Sequence, residues 1–148
     1  MNGPLDKAAI AALIPHTGPM CLLDSVVTWD SGSIVCRASS HHAPDNPMAV
    51  DGYLDAICGV EYAAQAMAVH GGLIGDGHRP TAGYLASLRD VVCTVERLDM
   101  LQGDLVVTAA LLVAEIGRGI YRFSLTCDGG AVLSGRAAVV IAAGQQAR

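Results

Sequence analysis

The sequence predicts an α+β fold, one antiparallel sheet curled around a single long helix. Three observations carry that reading. Only Tyr53 to His70 sustains apolar residues at helical spacing over several turns. The segments on either side alternate like strands and are broken by turn residues such as Gly103, Gly117, Gly119, Gly129 and Gly130. The resulting order, a short helix, two strands, the long helix and four strands, lacks the βαβα alternation of a parallel sheet.

Taken in order, Asp6 to Ile14 has helical apolar spacing and runs into Pro15, a stop. Met20 to Trp29 and Ser33 to Ser40 read as strands joined by a turn at Asp30, Ser31 and Gly32. The stretch HHAPDNPMAVDG, from His41 to Gly52, is a loop by its Pro, Asp and Asn content. The long helix follows, with Gly71 and Gly72 as its C-terminal stop. A second loop passes Gly75, Gly77 and Pro80, and then come strands over Gly83 to Arg97, Asp104 to Glu115, Ile120 to Cys127 and Ala131 to Ala142.

The chain has 148 residues, half of them hydrophobic, and carries a formal charge of -5. That length makes one domain, residues 1–148, with a core that needs neither disulfide nor metal. The nine Lys and Arg are scattered in sequence, which argues against a nucleic-acid partner. No apolar run approaches the roughly 20 residues of a membrane span, and no signal peptide is supported. A cytoplasmic protein is expected. The five cysteines, odd in number and widely spaced, read as reduced and mostly packed thiols.

One residue stands out against the helix. In GVEYAAQAMAVHGG, Glu61 is a carboxylate in a run apolar on nearly every side, so the pattern predicts that it is buried. Burial raises the pKa of a carboxyl and fits it to hold and deliver a proton. Gln65, one turn on, is placed to orient it. A surface glutamate is the bland reading. Of five histidines, His41 and His42 precede the helix, where Gly52 permits close backbone approach and the helix start offers free N–H groups. His70, at the other end, is expected to meet terminal carbonyls.

The segments LIPHTGPMCLLD, HAPDNPMAVDG and GVEYAAQAMA, with GYLASLRDV and QGDLVV later, together span nearly the whole chain. They resemble the hotdog-fold 3-hydroxyacyl-acyl-carrier-protein dehydratases, in the branch of aryl polyene and polyketide-type dehydratase-like proteins. The resemblance implies a hotdog fold and a dimer or higher even oligomer. It assigns Glu61 as an acid, Gln65 as its neighbour on the substrate, and His42, in the pattern His42-Ala43-Pro44, as the base meeting Glu61 across a dimer interface. The aromatic of the family's histidine loop is missing here. A second alignment puts Asn46 and Pro47 where the loop turns into the site, in a branch that often lacks the histidine.

What the resemblance implies chemically is loss of water from a 3-hydroxyacyl thioester, on acyl-carrier protein or CoA, to give a trans-2-enoyl thioester. Backbone N–H groups near Gly52 polarise the carbonyl, and no metal or redox cofactor is needed. Arg89 is a candidate for carrier docking. Thioester hydrolysis and a non-catalytic acyl-binding subunit are the alternatives, since one fold serves all three.

Overall fold

The computed structural model describes residues 2–16, 18–75 and 83–141. His78, Gly77, Pro80 and Ala142 lie outside the described residues. A six-stranded antiparallel sheet is formed by β1 (Ser25–Asp30), β2 (Ser33–Ala38), β3 (Gly83–Cys93), β4 (Leu105–Glu115), β5 (Arg118–Cys127) and β6 (Gly130–Ile141), in the order β1-β2-β4-β5-β6-β3. The long helix α2 (Gly59–Ile74) packs on its concave face, mostly against β2, β4 and β5. Alternation sets the two faces: Tyr121, Phe123, Leu125 and Cys127 of β5 are buried under the helix while Arg118 and Arg122 are exposed.

The helix lies close to the sheet because Gly59 has no side chain there. A Cβ at that position would sit 2.8 Å from Leu133 and 3.0 Å from Leu125. At its far end the helix runs through the expected stop to Ile74. The reason is packing: Gly72 is buried and a Cβ there would come within 3.3 Å of Leu13. These glycines serve close approach, not termination.

The helix also starts later than the sequence suggests. Tyr53 pairs with Val50 across a tight Asp51-Gly52 turn, and Asp55 pairs with Arg97. Both turn residues have positive φ, 51° and 78°, the conformation for which Asp-Gly is suited. Asp99 accepts the Leu54 amide at 2.9 Å and is gripped by Arg97 through two nitrogens, while the Arg97 guanidinium lies 4.0 Å from the Tyr53 ring centre. That clamp holds residues 53–55 extended until Asp55 caps a 3-10 turn, Ala56–Cys58, through the Ile57 amide.

The first helix, α1, is Lys7–Ala11, capped by Asp6, which accepts the Ala9 amide at 2.9 Å. The predicted first strand is halved: residues 20–24 leave the sheet, because Leu22 and Leu23 are both fully buried and break the alternation a strand requires. Asn2 and Leu5 pair with Trp29 and Val26, so the N-terminal segment covers the β1 edge.

His70 does not meet the helix-terminal carbonyls. It is fully buried, donating from Nε2 to the Asp30 carbonyl at 2.8 Å and accepting the Tyr121 hydroxyl at Nδ1 at 2.7 Å. Burial pushes its pKa below the ordinary value, against the opposing pull of the Asp30 carbonyl. The same holds for His41, where burial and then the neighbouring His42 lower it. Both groups charge more readily in the unfolded chain. Their contribution to stability is therefore complete above the ordinary value of 6.5 and is lost as pH falls from there toward the lower folded values. Urea midpoints should drop between pH 7.5 and pH 5, and a His41→Gln/His70→Gln variant should show a flatter profile. An equal drop in that variant would assign the effect elsewhere.

Candidate active site

Glu61 lies in the third position of α2, on the helix face that the sheet leaves open. Ile57 on the same stripe is 50 % exposed, Ala64 and Ala68 are half-buried, and the Glu61 side chain retains 32 % exposure. The expected full burial is thus corrected within the chain: the residues around Glu61 are apolar, yet they face away from the sheet. The carboxylate is held by specific partners instead.

One partner is Gln65, whose Nε2 donates to Glu61 Oε2 at 3.2 Å and to the Met20 carbonyl at 2.7 Å. Its Oε1 accepts the Leu22 amide at 2.9 Å. Gln65 is fully buried, so this side chain fastens the 20–22 segment to the helix as well as orienting the carboxylate. The other partner is a residue the sequence did not mark. His16 Nε2 sits 3.1 Å from Glu61 Oε2, and its Nδ1 is buried without a hydrogen-bond partner. The signal was present in the PHTGPM stretch, but nothing in the spacing relates residue 16 to residue 61.

Within the single chain the other expected site residues form no hydrogen bond with Glu61. His42 is exposed and hydrogen-bonds through Nε2 to the Leu101 carbonyl; it forms no hydrogen bond or ion pair with Glu61 within the chain. His41, whose ring is tilted by 38° to that of His42 with centres 3.9 Å apart, donates to the Leu101 and Gly103 carbonyls at 3.2 and 2.9 Å. Asn46 is buried, donating to the Ser40 carbonyl at 2.9 Å and the Tyr62 hydroxyl at 3.3 Å while accepting the Met48 amide at 2.9 Å. Tyr62 donates in turn to Ser40 Oγ, which donates to the Leu22 carbonyl, both at 2.8 Å. Burial raises the Tyr62 pKa, so it stays a neutral donor. Asn46 therefore ties its loop to the helix one residue from Glu61 in sequence, and its polar atoms point at Tyr62 and not at the carboxylate. Gly52 is exposed at its turn, and its N–H has no partner among the described residues.

A carboxyl group and an imidazole in contact, the carboxyl also oriented by an amide, can move a proton to or from a bound molecule. Among the described residues there is no cluster of His, Cys, Asp and Glu suited to a metal ion. Residues 8–147 match the model of the ApeP-like family, described as ApeP dehydratase. The chain belongs to the ApeP-like family of dehydratases.

Solved structures agree on the hotdog fold of this ApeP-like chain. The ApeI:P dehydratase heterocomplex from Xenorhabdus doucetiae superposes with a TM-score of 0.79 at 24% identity, covering 93% of this chain and 91% of that one. Zebra fish thioesterase superfamily member 2 gives 0.62 at 15% identity, over 91% and 92% of the two chains. A mutant thioesterase from Pseudomonas aeruginosa gives 0.53 at 17%, over 80% of each. No curated protein shows a significant match to the sequence. No helix among the described residues is long and apolar enough to cross a membrane.

Proposed function

We propose that this ApeP-like protein removes water from a 3-hydroxyacyl thioester to give a trans-2-enoyl thioester. The observation that supports it is the Glu61–His16 contact at 3.1 Å, with Gln65 on the same carboxylate oxygen. Dehydration breaks a C–H bond at C2 and a C–O bond at C3, on adjacent carbons. An acid and a base touching one another suit departure of both groups from one face of the chain. The base takes the C2 proton, the electron pair forms the C2–C3 double bond, and Glu61 protonates the C3 hydroxyl as it leaves as water. The proton on imidazole then returns to the carboxylate across their contact.

His16 is proposed for the base in place of His42 because it touches Glu61 within the chain, whereas the His42 imidazole meets the Leu101 carbonyl. The Gly52 N–H is proposed to polarise the thioester carbonyl. The acyl group arrives on phosphopantetheine, of acyl-carrier protein or CoA, and the chemistry uses no metal or redox cofactor. The five unpaired cysteines fit the reducing cytoplasm as its setting.

A second hotdog subunit completes the site in this reading. The β3 edge is unpaired among the described residues, with Leu88 42 % and Val92 53 % exposed on it, and the helix face carrying Glu61 is open. A second copy of the chain pairs there, or a related dehydratase; the similar structure from Xenorhabdus doucetiae is itself a dehydratase heterocomplex, ApeI:P.

Mass spectrometry of a 3-hydroxyacyl thioester incubated with the protein decides the reaction class. Loss of 18 Da is the expected result; release of free acid means a thioesterase, and no change means a non-catalytic subunit. His16→Gln should lower the rate by roughly 10²-fold or more, with His42→Gln close to wild type. The reverse ranking would return the base to His42, reaching Glu61 from a second subunit.

A further inference from the structure

Lys7 is the only lysine in the chain. It opens α1, and its Nζ donates to the Cys21 carbonyl at 2.8 Å and to the Leu23 carbonyl at 2.7 Å. Asp24 Oδ1 lies further off, at 3.9 Å, and both side chains are well exposed, so the ion pair contributes little. The two short bonds to carbonyls are what fix this side chain.

Those carbonyls need such a donor. Residues 20–23 have left the sheet, and backbone pairing with β2 begins at Asp24, whose amide donates to the Arg37 carbonyl at 2.8 Å. Cys21 and Leu23 are buried, where an unpaired carbonyl is costly. Side chains take the place of a strand: Gln65 donates to the Met20 carbonyl, Ser40 to that of Leu22, and Lys7 to those of Cys21 and Leu23. The two grips alternate along the segment. Gln65 and Ser40 hold it to α2 and to the turn after β2, while Lys7 holds it to α1.

His16 lies in sequence between Lys7 and Cys21, which are 14 positions apart. The Lys7 bonds therefore close a loop at its base, and the imidazole that the loop carries meets Glu61 at 3.1 Å. The ring has no second polar anchor, because its Nδ1 has no hydrogen-bond partner. Its aim at the carboxylate thus depends on where the two legs of the loop are held. Gln65 fixes the second leg, at Met20 and Leu22, to the long helix. Lys7 fixes the first leg to the second, closer to His16 on both legs than the Leu5–Val26 pairing. An ammonium suits this task, since three donors splayed from one nitrogen can meet two carbonyls of one segment. We propose that Lys7 is a positioning residue for His16, closing the loop that sets the imidazole against Glu61. The kinetic consequence rests on the dehydration proposed above.

The test is a double-mutant cycle on dehydration of a 3-hydroxyacyl thioester. Lys7→Met, which keeps the stem and loses the donors, should lower kcat by roughly tenfold or more with KM within about twofold of wild type. In a His16→Gln background the same change should move kcat by less than about twofold, since the ring it positions is gone. Lys7→Arg, with a nitrogen for each carbonyl, should recover most of the rate. An unaltered kcat in Lys7→Met overturns the proposal, as does an equal fold loss with and without His16.

Acetylation of folded wild type with an amine-selective reagent covers the case in which Lys7→Met does not fold. With one lysine in the chain, Lys7→Arg treated alike controls for every other group. A loss of kcat in wild type beyond that of the control supports the proposal; no such excess overturns it. If wild type turns over no thioester, or His16→Gln costs no rate, the dehydration reading or its base fails, and the ring-nitrogen resonances of His16 decide the positioning. In Lys7→Met or the acetylated protein they should move toward their place in Glu61→Ala, which has no carboxylate to meet. Resonances that stay at their wild-type place overturn it.

Discussion

Glu61→Gln is expected to lower kcat for dehydration by about 10² to 10⁴-fold, the range for losing a general acid, while the protein folds as before. Glutamine has the shape of glutamate and keeps an oxygen that can accept from Gln65 Nε2, now 3.2 Å away, or from His16 Nε2, now 3.1 Å away. The side chain is one-third exposed, so the substitution strands no deeply buried group. What disappears is the exchangeable proton. Single-turnover assays with the 3-hydroxyacyl thioester, set beside thermal melts, separate the two properties. A variant with an unchanged melt and a rate within threefold of wild type, an order of magnitude inside the range above, would remove Glu61 from the chemistry.

Much of the architecture was legible because it rests on local signals. Asp-Gly at residues 128–129, with φ of 51° and 80°, forms the turn between β5 and β6, and the apolar run of α2 shows that a helix is present. Boundaries were less legible where tertiary contacts override pattern. The Arg97–Asp99–Tyr53 clamp delays the helix, and the contact of Gly72 with Leu13 carries it past two glycines. Neither effect can be read from neighbours in sequence.

The site divides in the same way. Glu61 and Gln65 were visible because a helix makes residues four apart neighbours, and the structure joins them. His16 was not, since its approach to Glu61 depends on how the segment after α1 folds across the helix. His42 matched a motif by sequence, yet its loop turns the imidazole to the Leu101 carbonyl. Burial of Glu61 was inferred from apolar neighbours, but composition does not say which helix face the sheet covers. The face it leaves open is the one that needs a second subunit in the function proposed here.

Gln65→Leu should be the most damaging of these changes to folding, and should lower activity as well. Leucine fills the space but offers no polar atom, so the Leu22 amide loses its acceptor and the Met20 carbonyl its donor. Leu22 is fully buried, and its amide cannot turn to water; Met20 is half-buried, and its carbonyl recovers some hydration. Weighting the two accordingly gives a loss of about 2–4 kcal/mol, a fall in Tm of roughly 5–15 °C for a chain of this size. The rate should fall as well, because the segment that Gln65 fastens continues from the one bearing His16. Gln65→Glu tests whether the amide is needed as donor and acceptor together. It keeps an oxygen for the Leu22 amide, but sets a carboxylate against the Met20 carbonyl and against Glu61. Melts that fall for Gln65→Leu yet remain at wild type for Gln65→Glu would show that only the Leu22 bond matters. A fall in both is the expected result, since one side chain joins the helix carrying Glu61 to the N-terminal segment through bonds of opposite polarity.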